Sequence, residues 1–443
     1  MRDLAYLKLL SREYPNIRAA ASDIINLQAI CGLPKGTEYF FSDLHGEHEA
    51  FIYLLRSSSG IIREKIRETF GHIISEEDEV RLANLIYYPE KMINQIKQAN
   101  EYTEDWQKTA VYRLVQICRE VSSKYTRSKV RKKMPREFSG VIDELLYVDN
   151  TDDNKTEYYS ELINTLIDVR VADSFIVVIC SLIRSLTIDN LHILGDIFDR
   201  GPRPDIILEE LMHFHDVDIQ WGNHDISWMG AATGNRACIC NVLRMALGYN
   251  GFDVLEDGYG INLRPLSMFA ERVYRDDPCT CFLPQILDKN IYDAVDPKLA
   301  AKMHKAIAVL QYKEEGQIIK RHPEYGMEER ILLSAIRYDR GTVTIDGKEY
   351  PMRDMNFPTV DPADPLRLTD EEEELLHTLE LSFRHNTRLH EHVRFLYSNG
   401  SMYKCCNSNL LYHGCIPMTE NREFDGLMVG GKMYRGKELM DFI

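Results

Sequence analysis

Four short apolar runs punctuate the chain, and each stops at Gly, Ser or His beside a polar side chain. EYFF (38–41) runs into Ser42-Asp43, LHIL (191–194) into Gly195-Asp196, VDIQW (217–221) into Gly222-Asn223, and NLLY (409–412) into His413-Gly414. Four or five residues rich in branched and aromatic side chains, closed by turn formers, predict strands. Four strands would then deliver polar side chains at their C-terminal ends, where open α/β sheets carry their sites.

Between the runs the pattern turns helical. The first gap is 153 positions, from Asp43 to Asp196, and contains helical periodicity over 76–99 and 104–121, with Pro89 breaking or kinking the first stretch. The second gap, 190 positions from Asn223 to His413, contains a helical block at 297–310. It continues with a hairpin at 342–350 turning on Asp346-Gly347, then a Pro-rich loop. A long helix is expected from Thr369 to Tyr397, with Thr369 as N-cap and acidic residues filling its first turn. The fold class expected is α/β, a discontinuous core with large helical insertions. Its segments are 1–56 (start of the core), 57–187 (helical insertion), 188–260 (core), 261–397 (helical insertion with a hairpin) and 398–443 (core, expected to be incomplete).

Composition narrows the class. The 443 residues carry 53 basic and 69 acidic side chains, a net charge of −16, which argues against nucleic acid as a partner. The N-terminus lacks the apolar stretch of a signal peptide, and no run nears the roughly 18 apolar residues of a spanning helix. The most apolar stretch, 175–183, is short and reads as core. Ten cysteines include two C-x-C pairs and one adjacent pair, without the C-x-x-C spacing of a zinc site, so reduced thiols and a cytoplasmic location are expected. The basic run KYTRSKVRKKMPR (124–136) is read first as a solvated helix face and second as an anion site. His385, Arg388, His390 and His392 are read as surface or packing residues.

The strand ends hold the chemistry. In Ser42-Asp43-Leu44-His45-Gly46, residues two apart point to one side, so Asp43 and His45 can chelate one ion, a donor pair better suited to Mn, Fe or Zn than to Mg or Ca. In Gly195-Asp196-Ile197-Phe198-Asp199-Arg200-Gly201, Asp196 can bridge two metals, Asp199 can orient a histidine, and Arg200 offers a planar fork to phosphate oxygens. In Gly222-Asn223-His224-Asp225, Asn223 is a neutral ligand and His224 a candidate proton donor. His413 supplies a further imidazole.

In this order these motifs resemble the calcineurin-like metallophosphoesterases, whose motifs read D-x-H, G-D-x-x-D-R-G, G-N-H-D/E and H-G. The stretches FSDLHGEHEAF, LHILGDIFDRGPRPD, IQWGNHDISWMGAA and NLLYHGCIPM are similar to the bacterial class III fructose-1,6-bisphosphatases. The resemblance implies a β-sandwich flanked by helices and a dinuclear centre. One metal would be held by Asp43, His45 and Asp196, the other by Asp196, Asn223 and His413, with manganese expected and iron or zinc compatible. It further implies hydrolysis of fructose 1,6-bisphosphate to fructose 6-phosphate, a gluconeogenic step. In it Arg200 binds the phosphate, His224 protonates the leaving oxygen and Asp199 holds His224. The implied partner is a small sugar bisphosphate; no membrane is expected, and a homo-oligomer is compatible. The superfamily has a further C-terminal G-H motif that this sequence lacks, so the chain is expected to be a shortened member with one ligand of the second metal missing. The competing readings are a protein or nucleotide phosphatase of the same superfamily, against which the large insertions argue by capping the site, and an inactive fragment.

Overall fold

The structure is a computed structural model, describing residues 2–71, 73–147, 153–285 and 296–443. The parts of the two expected insertions at 72, 148–152 and 286–295 lie outside the described residues. The chain divides into two compact units, Met1–Tyr39 with Tyr53–Asn190, and Phe40–Ile52 with Leu191–Ile443.

The first unit is helical. Its core is built by helices such as Ile61–Phe70, Glu76–Tyr87, Glu104–Ser122 and Ala172–Thr187. Ser75 caps Glu76–Tyr87 by accepting from the Asp78 amide at 3.1 Å, and four acidic residues fill the first turn, complementing the helix dipole. Pro89 opens a separate helix, Pro89–Gln98, at its first position, where its missing N–H costs nothing. The apolar run 175–183 lies inside Ala172–Thr187, with Phe175, Ile176, Ile179, Cys180 and Ile183 buried. The basic run forms helix Arg127–Lys133, and three of its cations are engaged by the unit's own carboxylates. Lys129 and Lys133 meet Asp189 at 2.8 and 3.4 Å, and Arg131 meets Asp143 at 2.6 Å.

The second unit contains most of the main sheet. Strands β1 (Glu38–Phe41), β2 (Asn190–Ile193) and β3 (Val217–Gln220) stand side by side, with β2 and β3 parallel. The expected hairpin is present as β5 (Thr342–Ile345) and β6 (Lys348–Pro351), with β4 (Ile336–Arg337) on its other edge. Asp346 and Gly347 both have positive φ, 49° and 71°, as a two-residue hairpin turn with the twist of its strands requires. The fourth strand of the main sheet is β7 (Gly400–Ser401), parallel to β3. The run 409–412 is a strand as expected, β9 (Asn409–Tyr412), but it pairs antiparallel with β8 (Tyr403–Cys406) instead of joining that sheet. Asn407 and Ser408, at φ 47° and 69°, make the turn that folds it back. A last hairpin joins β10 (Gly426–Val429) to β11 (Lys432–Arg435). Among the described residues no helix is long and apolar enough to cross a membrane.

Two helices differ from expectation. The block at 297–310 extends to Pro297–Arg321, because polar residues that break its apolar pattern are paired in the interior. Lys305 meets Asp277 and Asp354 at 2.6 Å each, and Lys313 meets Glu372 at 2.7 Å. Glu372 also closes the cap at Thr369, accepting from its amide while the Thr369 hydroxyl accepts from the Glu372 amide. The single helix expected over 369–397 is two, Asp370–Arg384 and Thr387–Asn399. Asn386 caps the second by accepting from the Leu389 amide at 2.9 Å, a competing local bond that ends the first.

His392, on the second of these helices, is 2% exposed and shares a hydrogen bond with the Tyr259 hydroxyl. Burial, reinforced by Arg388, pushes its pKa down to about 4, so it folds neutral. A depressed pKa contributes stability that is fully present above the unfolded value of about 6.5 and is lost as pH falls toward 4, on the order of 3 kcal/mol in all. Denaturant unfolding between pH 7 and 4 should therefore show a steeper loss for the unaltered chain than for His392→Gln; parallel curves would contradict the assignment.

Candidate metal centre

All eight site residues expected from the sequence fall in the second unit. Seven follow the ends of β1, β2 and β3, and His413 follows β9. Backbone hydrogen bonds lock the first two turns together: the Asp43 amide donates to Gly195 O at 3.0 Å, and the amides of His45 and Gly46 to Asp196 O and Ile197 O at 2.9 Å each. Asp43, His45, Asp196, Asp199 and Arg200 all have φ between 42° and 69°, a conformation non-glycine residues rarely adopt. Such strain persists only where surrounding bonds over-determine it, and it gathers at functional sites. Gly222 is needed for contact rather than for φ, since a Cβ there would lie 2.0 Å from Asp196 Oδ1.

Asp196, 4% exposed, is the hub. Its Oδ2 has three imidazole Nε2 atoms around it: His413 at 3.1 Å, His45 at 3.9 Å and His224 at 4.0 Å. Asp43 Oδ1 lies 3.9 Å from His45 Nε2, and the Asp43 side chain is half exposed. At this site two sets of potential ligand atoms each lie within 4.8 Å of one another: Asp43, Asp196 and His413, and His45, Asp196 and His224. Asn223 opens helix Asn223–Ala232 and is exposed.

The other ring nitrogen of each imidazole separates their chemistry. His45 Nδ1 donates to Phe198 O at 3.0 Å and His413 Nδ1 to Leu194 O, which leaves each Nε2 facing Asp196 with a lone pair. A backbone acceptor on one nitrogen is the usual support of a metal-ligating histidine. His224 Nδ1 instead donates to the carboxylate of Asp199 at 2.7 Å. That bond raises the pKa of His224 against the opposing effect of burial, which favours its protonated form. Trp228 Nε1 donates to the other oxygen of Asp199 at 2.9 Å and fixes it. Arg200 is exposed, its guanidinium 6.0 Å from the centre of the Tyr249 ring.

Sequence reasoning gave Asp225 no role, yet it is fully buried beneath the site. Its carboxylate accepts from the amides of Gly222, Asp196 and Ile197, each at 2.9 Å, and so joins the turns after β2 and β3. Burial pushes its pKa up to about 6 against the pull of those amides. The available signal was its position, an acid three residues after a glycine at a helix start, where it reaches back to the free amides. Asp225→Asn would turn an NH2 toward an N–H donor. The expected cost is about 2–4 kcal/mol of stability together with reduced activity. Urea unfolding and turnover would measure the two; a variant unchanged in both would remove Asp225 from this role.

The donor set fits divalent cations: carboxylates and imidazoles converge from two turns, with two histidines already oriented by backbone carbonyls.

A family model described as Firmicute fructose-1,6-bisphosphatase matches residues 5–443. Among curated relatives, a protein of Clostridium novyi named fructose-1,6-bisphosphatase class 3 is 51% identical over 440 residues, 99% of this chain and 66% of its own length. A protein of the same name from Clostridium tetani is 52% identical over 439 residues, with the same coverage of each chain. One from Bacteroides fragilis is 51% identical over 442 residues, 100% of this chain and 67% of its own. The chain thus spans about two thirds of the length of these relatives. No solved structure matches it.

Proposed function

Because the chain belongs to the Firmicute fructose-1,6-bisphosphatase family, we propose that it hydrolyses the 1-phosphate of fructose 1,6-bisphosphate, releasing fructose 6-phosphate and inorganic phosphate in gluconeogenesis. The observation that carries this reading is the convergence of three imidazoles on the buried carboxylate of Asp196, one of them, His224, paired through its other nitrogen with Asp199. Asp43, His45, Asp196, Asn223 and His413 are the residues that would hold two divalent cations, manganese being the expected ion. Bound there, such cations supply Lewis acidity toward phosphoryl oxygens and lower the pKa of water.

The chain's own residues do the rest. Arg200 binds phosphoryl oxygens through its planar fork, where charge grows as the ester bond breaks. His224 gives the proton on its Nε2 to the leaving sugar oxygen, so that an alcohol departs rather than an alkoxide. Asp199 holds His224 in the orientation for that transfer and stabilises its protonated form. The strand-end setting of these groups supports reading the core as the sandwich type of the metallophosphoesterases. All ten cysteines are free, in keeping with a reducing cytoplasm. A substrate panel with manganese tests the assignment: fructose 1,6-bisphosphate should be hydrolysed faster than phosphoprotein or nucleotides. The opposite ranking would make the chain a protein or nucleotide phosphatase.

A further inference from the structure

His413 reaches Asp196 from a ribbon, β8 with β9, that forms a sheet apart from the main one. In that ribbon Lys404 stands directly opposite Leu411, and His413 follows two residues on, so all three lie on one side. Both polar members of that side bond to the main sheet. Lys404 Nζ lies 2.5 Å from Asp218 Oδ2 on β3, and His413 Nδ1 donates to Leu194 O just past β2. Asp218, 8% exposed, is the node of this contact. His192, fully buried and its partner in the parallel register of β2 and β3, meets the same oxygen through Nδ1 at 2.9 Å. Gln220 Nε2 donates to the other oxygen at 2.9 Å. Burial raises the pKa of Asp218, but His192, Lys404 and Gln220 hold it below the ordinary carboxylate value, so it stays ionised at neutral pH.

One carboxylate thus ties the three strands whose ends carry Asp196, Asn223 and His413. It ties β2 through His192, β3 through its own backbone, and β8, the pairing partner of β9, through Lys404. A buried polar pair is a weak source of stability, since apolar residues of the same volume are often at least as good. What apolar residues could not do is hold the Lys404 ammonium, and with it the ribbon, against β3. We propose that Lys404 and Asp218 are positioning residues for His413. Their ion pair sets the ribbon on β3 so that His413 Nε2 stands 3.1 Å from Asp196 Oδ2. The inference rests on the reading of His413 as a metal ligand given above.

Lys404→Met tests it, with manganese alone as the probe. Asp218 keeps His192 and Gln220 as donors in this variant, and the Lys404 side chain is 39% exposed, so the metal-free thermal midpoint should stay close to that of the unaltered chain. Calorimetric titration should show binding of one cation weakened about 10–100-fold, the range for a residue that supports a ligand. Turnover should need correspondingly more manganese and return to its full value at saturation, a pattern that general loss of structure would not give. Lys404→Arg, which keeps the cation, should titrate like the unaltered chain. A Lys404→Met titration equal to that of the unaltered chain would overturn the proposal, as would a deficit in turnover that saturating manganese does not restore. His413→Ala, measured in parallel, separates this inference from the one beneath it. A cation lost there while Lys404→Met titrates normally would leave the metal reading standing and sink only the positioning role. Both cations retained in His413→Ala would overturn the metal reading and this proposal with it.

Discussion

Asp196→Ala should abolish both metal binding and phosphatase activity, the largest effect expected of any single substitution in this chain. Asp196 Oδ2 is the atom on which His413, His45 and His224 converge, and both sets of potential ligands at this site include it. Removing a partner outside the ligand shell of a metal site typically costs roughly 10–100-fold in affinity or activity; removing the shared carboxylate should cost well beyond that. Asp196 has φ 56°, where alanine is strained by about 1–2 kcal/mol. Asp196→Asn is therefore the cleaner variant, since asparagine tolerates this conformation and can still accept from the His224 amide as Oδ1 does at 3.2 Å. Metal content by plasma emission, with turnover in manganese, checks both variants. A full metal complement with activity retained in either would show that the centre is assigned wrongly.

The ends of β1, β2 and β3 were legible because each is a short apolar run halted by Ser or Gly beside an acid or amide. Local chemistry also announced the cap at Thr369, the turn at Asp346-Gly347 and the break at Pro89. What escaped reading is what tertiary contacts impose. Strand β7 is only two residues, Gly400 and Ser401, and carries no periodicity; its glycine is required because a Cβ would lie 2.1 Å from Trp221 Nε1. Strand β9 has strand composition, but composition does not say which strand it pairs with, and β8 took it through the turn at Asn407-Ser408. The helix break at Asn386 rests on the side chain of that one residue, which accepts from the Leu389 amide and donates to Tyr259 O. Within the site the residue types were legible and their roles less so. Left-handed backbone at Asp43, His45 and Asp196 arises from bonds between turns 153 positions apart in sequence.

His224→Ala should slow turnover about a hundredfold or more while leaving the metals bound, the loss typical of removing a general acid. The contrast among the three imidazoles motivates the forecast. His45 and His413 donate Nδ1–H to carbonyls, which suits a neutral ring offering its lone pair, whereas His224 donates to Asp199, which favours the protonated ring. The Asp199 carboxylate is held in turn by Trp228, so it remains in place when the imidazole is removed. Because Asp199 acts through His224, Asp199→Asn should be damaging alone yet add little to His224→Ala, and the double variant should be nearly as active as His224→Ala itself. Metal analysis beside the kinetics decides between the two roles open to this ring. His224 Nε2 also lies within ligand range of His45 and Asp196, so depletion of metal in His224→Ala would make it a ligand rather than the acid. An additive double variant would separate Asp199 from it. Retained metal, slow turnover and non-additivity together would assign the proton to His224.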